Sequence, residues 1–280
     1  MQTNVQGAIF IPELWAKDIE LERVANLVLA NLVDRKFESQ LQVGDTLHIP
    51  FLKEGEAEDF VPGSTIAFQP TVEDEIDFKI DKYKVAHRQI QDILTVQSKY
   101  ELRSPYTGVI SRALAKAVDT DLARLHVGAD ANNKMTAIPA LTFETIIDAN
   151  VLLDKKDVPK ENRALVVDAV GAGDLRKIKE FSAFNESGIE GVVKTTRGYI
   201  GTIYGTPVYE TNNINVTTGA GGARHYLLFQ KSAMGLIMQK SPKIEHARDI
   251  DTLSDKIVGS EIYGVKVIRP DHMVVIPRKA

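Results

Sequence analysis

The run Leu165-Val166-Val167-Asp168-Ala169-Val170-Gly171-Ala172-Gly173-Asp174-Leu175 comes nearest, in residue type and spacing, to cofactor chemistry. A β-rich run, a glycine-bearing turn and a helix follow one another. That is the order in which a dinucleotide's pyrophosphate is seated on a helix N-terminus. The fingerprint needs a third glycine, and position 176, where it should fall, holds Arg176. The segment also lies mid-chain, without a surrounding series of βαβ units. An ordinary helix-entry turn is the expectation, and a nucleotide-binding enzyme using Gly171 and Gly173 is the rival reading. Gly219 to Gly222 could suggest a phosphate cradle, but no lysine–serine or lysine–threonine step follows. A plain glycine-rich loop is expected there.

Other chemistries find less support. His48, His87, His126, His225, His246 and His272 include no two spaced as paired metal ligands. Asp249, Asp251 and Asp255 lack the glycine and terminal glutamate of a calcium loop, so a solvated acidic face is expected. The chain has no cysteine, which removes thiolate nucleophiles, disulfides and thiolate metal sites. A Gly-x-Ser-x-Gly elbow is missing as well. No catalytic, cofactor-binding or metal residue is assigned, and no cofactor is expected.

Composition narrows the classes further. The 34 basic and 38 acidic residues leave a net charge of −4 with no basic block, so a DNA-gripping face is not expected. With 280 residues and 44% hydrophobic content, the chain can bury a substantial core in one or two domains. Met1 to Gln6 has no basic and apolar signal pattern, and no window reaches the roughly 18 apolar residues of a membrane span. A soluble, unexported chain is expected.

The elements themselves point elsewhere. Leu47, Ile49 and Phe51 alternate with polar residues, and Ile76, Phe78 and Ile80 alternate with Asp77, Lys79 and Asp81, the period of half-buried strands. Residues 53–59 join them with Glu54, Glu56, Glu58 and Asp59 against Lys53. A lone two-stranded ribbon is marginal in water, so this one should rest on something else, most economically a neighbouring copy of the chain. Before it, Leu21, Val24, Ala25, Val28, Leu29 and Leu32 form a helical face opening at Pro12, with Arg35 and Lys36 near its end. Helix resumes around Ile90 to Tyr100. Ser104-Pro105 then opens a helix striped by Ile110, Ala113, Leu114, Ala117, Val118, Leu122 and Leu125 as far as Gly128, about 34 Å at about 1.5 Å per residue.

Farther on, Thr142 caps a helix bearing Phe143, Ile146, Ile147 and Val151. Lys155 to Arg163 is a polar loop, Leu165 to Val167 a buried strand, and Asp174 to Phe181 a helix. Short β-type runs follow at Val192-Val193, Tyr199-Ile200, Val208-Tyr209 and Tyr226 to Phe229. Tyr263 to Ile268 and Met273 to Ile276 read as closing strands. The class is α+β, and the texture is that of an assembly protein.

This order resembles the major capsid proteins of tailed phages, the Hong Kong 97-type fold. Gly201-Thr202-Ile203-Tyr204-Gly205-Thr206-Pro207-Val208 is similar to the family's axial-domain strand-turn. Val158-Pro159 with Arg163 to Asp168 is similar to its peripheral loop and strand, and Tyr263 to Val267 with Arg269-Pro270 to its close. The resemblance covers nearly the whole chain and rests on the order of individually weak motifs. It implies an N-terminal arm over 1–36, an extended hairpin loop over 37–90 and a peripheral domain over 91–187 with a spine helix at 105–127. An axial domain over 188–255 and C-terminal strands over 256–280, returning to the peripheral domain, complete the layout.

The implied function is that of a structural, non-enzymatic subunit. It would self-assemble into pentamers and hexamers of an icosahedral shell enclosing double-stranded DNA, built in the host cytoplasm and ending in the virion. An encapsulin-type bacterial compartment shares the fold and is the alternative. Expected partners are other copies of the chain, a separate scaffolding protein (the chain opens almost at once on the arm helix), a portal protein, a decoration protein and non-specifically contacted DNA. Some relatives form a self-catalysed lysine–asparagine bond at this hairpin, but nothing places an asparagine or an acid in register with Lys53. For contacts between subunits the resemblance suggests the acidic tip, Lys53, Glu54, Glu56, Glu58 and Asp59, against a neighbour's Lys155, Lys156, Lys160 and Arg163. Trp15 would be an arm anchor.

Overall fold

The computed structural model describes residues 28–41, 44–52, 73–91, 103–178, 198–214 and 224–279. In chain order these give a one-turn helix α1 (Leu29–Leu32), strands β1 (Thr46–Leu52), β2 (Glu73–Lys79) and β3 (Lys82–Gln91), and a long helix α2 (Arg103–Arg124). Helix α3 (Phe143–Asp154), strand β4 (Arg163–Val167) and helix α4 (Ala169–Arg176) come next. Strands β5 (Tyr199–Ile203), β6 (Thr206–Glu210), β7 (Arg224–Gln230), β8 (Met234–Asp249), β9 (Ser254–Val267) and β10 (Met273–Arg278) complete the set. They form a β1-β2 ribbon, a five-stranded sheet ordered β10-β7-β4-β6-β5 and a three-stranded sheet ordered β3-β9-β8.

The five-stranded sheet carries the main core. Every residue of β4 is buried, as its unbroken Ala-Leu-Val-Val run requires of a central strand covered on both faces. It runs parallel to β6 and antiparallel to β7. Ile146, Ala149 and Leu153 of α3, and Ala172 and Leu175 of α4, join the same core. Thr142 caps α3 as expected, its side chain accepting from the Thr145 amide. The buried face of α3 differs from the expected one. It runs through Thr145, Ile146, Ala149 and Leu153, while Val151 is 40% exposed. Once Ile146 points inward, its helical neighbours at i+3 and i+7 follow, and the 147–151 row turns away.

Long helix α2 keeps the centre of its expected stripe, while Ala113 is exposed and the helix gives way after Arg124 to a 3-10 turn over Leu125–Gly128. Ile110, Leu114, Val118 and Leu122, four residues apart, are all buried. Ile110 and Leu114 pack with Ile90 of β3 and Ile257 of β9, whereas Val118 and Leu122 belong to the main core. The helix thus spans both sheets.

Several expected boundaries move. β3 stays extended through Ile90 and Gln91 because it pairs with β9 as far as Gln91–Ser254, where helix was expected to resume; positions 92–100 lie outside the described residues. Helix α4 begins at Ala169, ahead of the expected Asp174, because Asp168 accepts the Gly171 amide at 2.7 Å and caps it. Of the expected arm, positions 1–27 lie outside the described residues; Val28, Leu29 and Val33 belong to the main core, and Asp34 bridges to Gly235. That bridge ends α1 at Leu32, so Arg35 and Lys36 lie beyond the helix rather than in its last turn.

Main-chain pairing also divides the chain differently from the expected segments. The 255/256 division falls inside β9, and 90/91 inside β3. β4, from the expected peripheral segment, sits between β6 and β7 of the expected axial one. β10 closes that same sheet, while β8 departs to the other. Pairing follows hydrogen-bond register, which sequence order does not reveal.

Candidate functional site

The β1–β2 ribbon is where an assembly element was expected, and its base is built by alternation. Leu47 lies opposite Phe78 and Ile49 opposite Ile76 on one face; His48 lies opposite Asp77 on the other. The apolar face docks on the chain's own body. Phe78 is fully buried, and with Ile49 it packs against Leu41 and Ile237. Burying such a ring is worth roughly 1.5–3 kcal/mol.

Two glycines make the seat. A Cβ on Gly235 would stand 2.8 Å from the Phe78 ring, and one on Gly264 would strike the Lys79 carbonyl oxygen. Gln239 donates to the Gly44 carbonyl at 2.7 Å, Lys266 donates to the Asp77 carbonyl, and Arg269 stacks 4.8 Å from the Phe51 ring centre. The expectation that this ribbon must lean on a neighbour is therefore corrected for its base, which leans on its own chain. Tip residues Lys53, Glu54, Glu56, Glu58 and Asp59 lie outside the described residues, as does Trp15.

On the ribbon's outer face, His48 Nδ1 meets Asp77 Oδ1 at 2.8 Å and also contacts Glu75. Their ligand atoms lie within 4.8 Å of one another, the one such group among the described residues that could hold a metal ion. All three residues are exposed, and they form a cluster in which the imidazole already engages both carboxylates. Sequence spacing missed it because cross-strand register brings His48 to Asp77. Sequence distance likewise hides the tilted ring contact of His126, in the turn after α2, with His225 of β7, their centroids 4.2 Å apart. Burial and then the charge of His126 lower the His225 pKa to about 4.

The loop after α3 was expected to offer four cations. Asp157 and Asn162 take left-handed φ values of 52° and 56°, which their side-chain types tolerate, and the loop wraps around Arg163. Arg163 is only 4% exposed. It donates to Asp154 Oδ1 at 2.7 Å and to the carbonyls of Val158 and Pro159. This guanidinium holds the loop together, and its expected place on a docking surface is corrected. Hydrogen bonding from Arg163 outweighs a small burial cost and holds the Asp154 carboxyl below its ordinary value. Lys156 pairs with Asp130 at 2.6 Å, and Lys160 with Asp154 at 3.5 Å. Lys155 and Lys160 are the exposed cations left on this loop.

Of the two glycines of the dinucleotide reading, Gly171 is seated for packing, while a Cβ on Gly173 would meet open space. Gly171 and Gly173 lie within α4 rather than in a loop ahead of it. A Cβ on Gly171 would stand 2.8 Å from the Tyr226 ring. Asp168, where a phosphate would need to approach, instead accepts from the Tyr226 hydroxyl at 2.9 Å and pairs with Arg224 at 3.1 Å. A buried carboxylate at the helix entrance repels an anion. The geometry there is that of a capped, packed helix start.

A scan against protein-family models found no match, and a search of curated protein sequences found none. Among solved structures, a capsid structure of Cyanophage P-SCSP1u superposes with a TM-score of 0.74 at 17% identity, over 96% of this chain and 93% of that one. A capsid chain of Ralstonia phage GP4 gives 0.74 at 13% identity, over 100% and 98%. A structure from Mycobacterium phage Che8 reaches 0.79 at 30% identity, over 95% of this chain and 97% of that one. This chain belongs to the tailed-phage major capsid proteins. It is a structural component of a bacteriophage virion.

Proposed function

We propose that this capsid subunit assembles into pentamers and hexamers of an icosahedral shell that encloses double-stranded DNA, without enzymatic activity of its own. The observation that carries the reading is end-to-end similarity to the Che8 structure at 30% identity. A net charge of −4 fits a container wall that must let packaged DNA leave again. Shell formation in the host cytoplasm would draw on a separate scaffolding protein, a portal protein and a decoration protein.

The seated base of the ribbon supports a role for the acidic tip beyond it as the reaching end. Its complement on a neighbouring subunit would be the exposed Lys155 and Lys160, with Lys156 released from Asp130. Each surface ion pair contributes about 0–1 kcal/mol and weakens with salt, so only repetition over the lattice makes it count. Trp15 would anchor the arm on an adjacent subunit.

Negative-stain microscopy of particles made on expression with and without scaffolding tests the reading. Closed shells or flat capsomers are expected, and a uniformly small globular species would overturn it. Reversing Glu54, Glu56 and Glu58 to lysine should misdirect shells without lowering the subunit melting temperature. Lys155→Glu with Lys160→Glu should partly restore them. Normal shells from the triple reversal would remove the tip as a docking element.

A further inference from the structure

The seam between α2 and the three-stranded sheet contains a carboxyl that the fold leaves unpaired. Glu261 has no exposed surface, and neither of its oxygens has a hydrogen-bond partner among the described residues. Strand alternation fixes where it points. Two residues before it, Gly259 lies so close to α2 that a Cβ there would press on Ile110 and Leu114. Two residues after it, Tyr263 donates its hydroxyl to Asp121 of α2 at 2.9 Å. Glu261 therefore faces α2, between those two contacts.

The charged groups around it are few. From β3, Lys84 stands directly opposite Glu261 in the strand register, yet its ammonium goes to Asp121 Oδ2 at 3.0 Å. From α2 come Asp121 itself and Arg124, which pairs with the other oxygen of Asp121 at 3.0 Å. From β8, on the far side of β9, Lys240 is occupied with Ser260 Oγ at 3.0 Å, on the opposite face of the strand. One ammonium thus lies between two carboxyls and serves only one of them. Burial opposes ionisation of Asp121, but hydrogen bonds from Lys84 and Tyr263 outweigh it and hold that carboxyl below its ordinary value.

We propose that Glu261 is a pH-operated latch in this seam: neutral, it lets α2 seat on β3 and β9, and ionised, it competes with Asp121 for Lys84 and loosens that seat. Burial pushes the Glu261 pKa up to about 7, with Asp121 adding to the rise and Lys84 opposing it. The latch therefore changes state around neutral pH, and the competition for Lys84 is what gives it two arrangements. The proposal concerns the single subunit and holds whether or not shells form. In a shell, every copy would carry the same latch where its long helix meets the sheet.

Amide hydrogen exchange on the full-length subunit at pH 6 and pH 8.5, corrected for intrinsic exchange, tests it. In the unmodified chain, amides of residues 110–124 and 254–267 should exchange about tenfold or more faster at the higher pH, following linkage to ionisation in the folded state. Glu261→Gln should remove that difference, and so should Glu261→Leu, which also removes the titration but keeps the site apolar. A carboxyl-detected NMR titration of unmodified protein gives an independent reading. A midpoint near 7 supports the latch, and one near 4.5 overturns it. The same pH difference persisting in either variant also overturns it.

Discussion

The five-stranded sheet and the α2 seam treat their buried carboxyls in opposite ways. In the sheet, Asp168 is completely served, by the Gly171 amide, the Tyr226 hydroxyl and Arg224. Asp174 accepts from the Leu141 amide and pairs with Arg278 at 3.0 Å. Around them Leu165 to Val167, Leu227 to Phe229 and Met273 to Ile276 make a continuous apolar core. In the seam, glycine and short aliphatic contacts share the interface with Lys84, Asp121 and an unserved Glu261. A satisfied polar network rigidifies the core around it, whereas an unsatisfied one makes its surroundings sensitive to conditions. The capsid subunit thus has one block built to stay fixed and one junction built with a choice.

Truncating the block should cost most. Leu165→Ala, at a fully buried position of the central strand, should lose about 2–5 kcal/mol in denaturant unfolding, by the same amount at pH 5 and pH 8. A loss that varied with pH would blur the contrast between block and seam. Glu261→Gln should act the other way. Because the folded pKa lies above the ordinary 4.5, the burial penalty is absent below pH 4.5, builds between 4.5 and 7 and is constant above. The variant should therefore be more stable than the unmodified chain at pH 8, by on the order of 1–3 kcal/mol, and no different near pH 4.5. Equal stabilisation at both pH values would mean simple repacking.

Gly235→Ala probes how the ribbon base is seated. Its Cβ would meet both Phe78 and Ile268, so overpacking should cost about 1–3 kcal/mol. Exchange at residues 46–52 and 73–79 should accelerate while β4 remains protected. Uniform acceleration would place the ribbon base inside the block's cooperative unit. Smallest is Tyr226→Phe, which removes one hydroxyl from Asp168 and should cost about 0.5–1.5 kcal/mol, read as a small shift in denaturation midpoint.

The sequence made the periodic elements legible. The stripe of α2 and the alternation of β1, β2 and β4 follow from residue spacing alone, as does the Thr142 cap. What escaped it depends on contacts between distant residues. The ribbon's seat is cut by Gly235 and Gly264, far along the chain from Phe78, so the ribbon read as unsupported. Arg163 looked like one cation among four on a polar loop, because the carbonyls it gathers are main-chain atoms with no side-chain signature. Glu261 lies just ahead of the run Tyr263 to Ile268, which alone was read as strand. The extra length of β9 appears only through its pairing with β3 and β8. The family could be recognised from element order, while two of the segment bounds it implied fall within strands β3 and β9.

The central claim, that this subunit exists to make closed shells, is tested most directly by native mass spectrometry of gently dissociated particles. The account predicts species at five and six times the subunit mass, released from particles far larger than either. A single discrete dimer or tetramer, with no larger particle at any protein concentration, would contradict it.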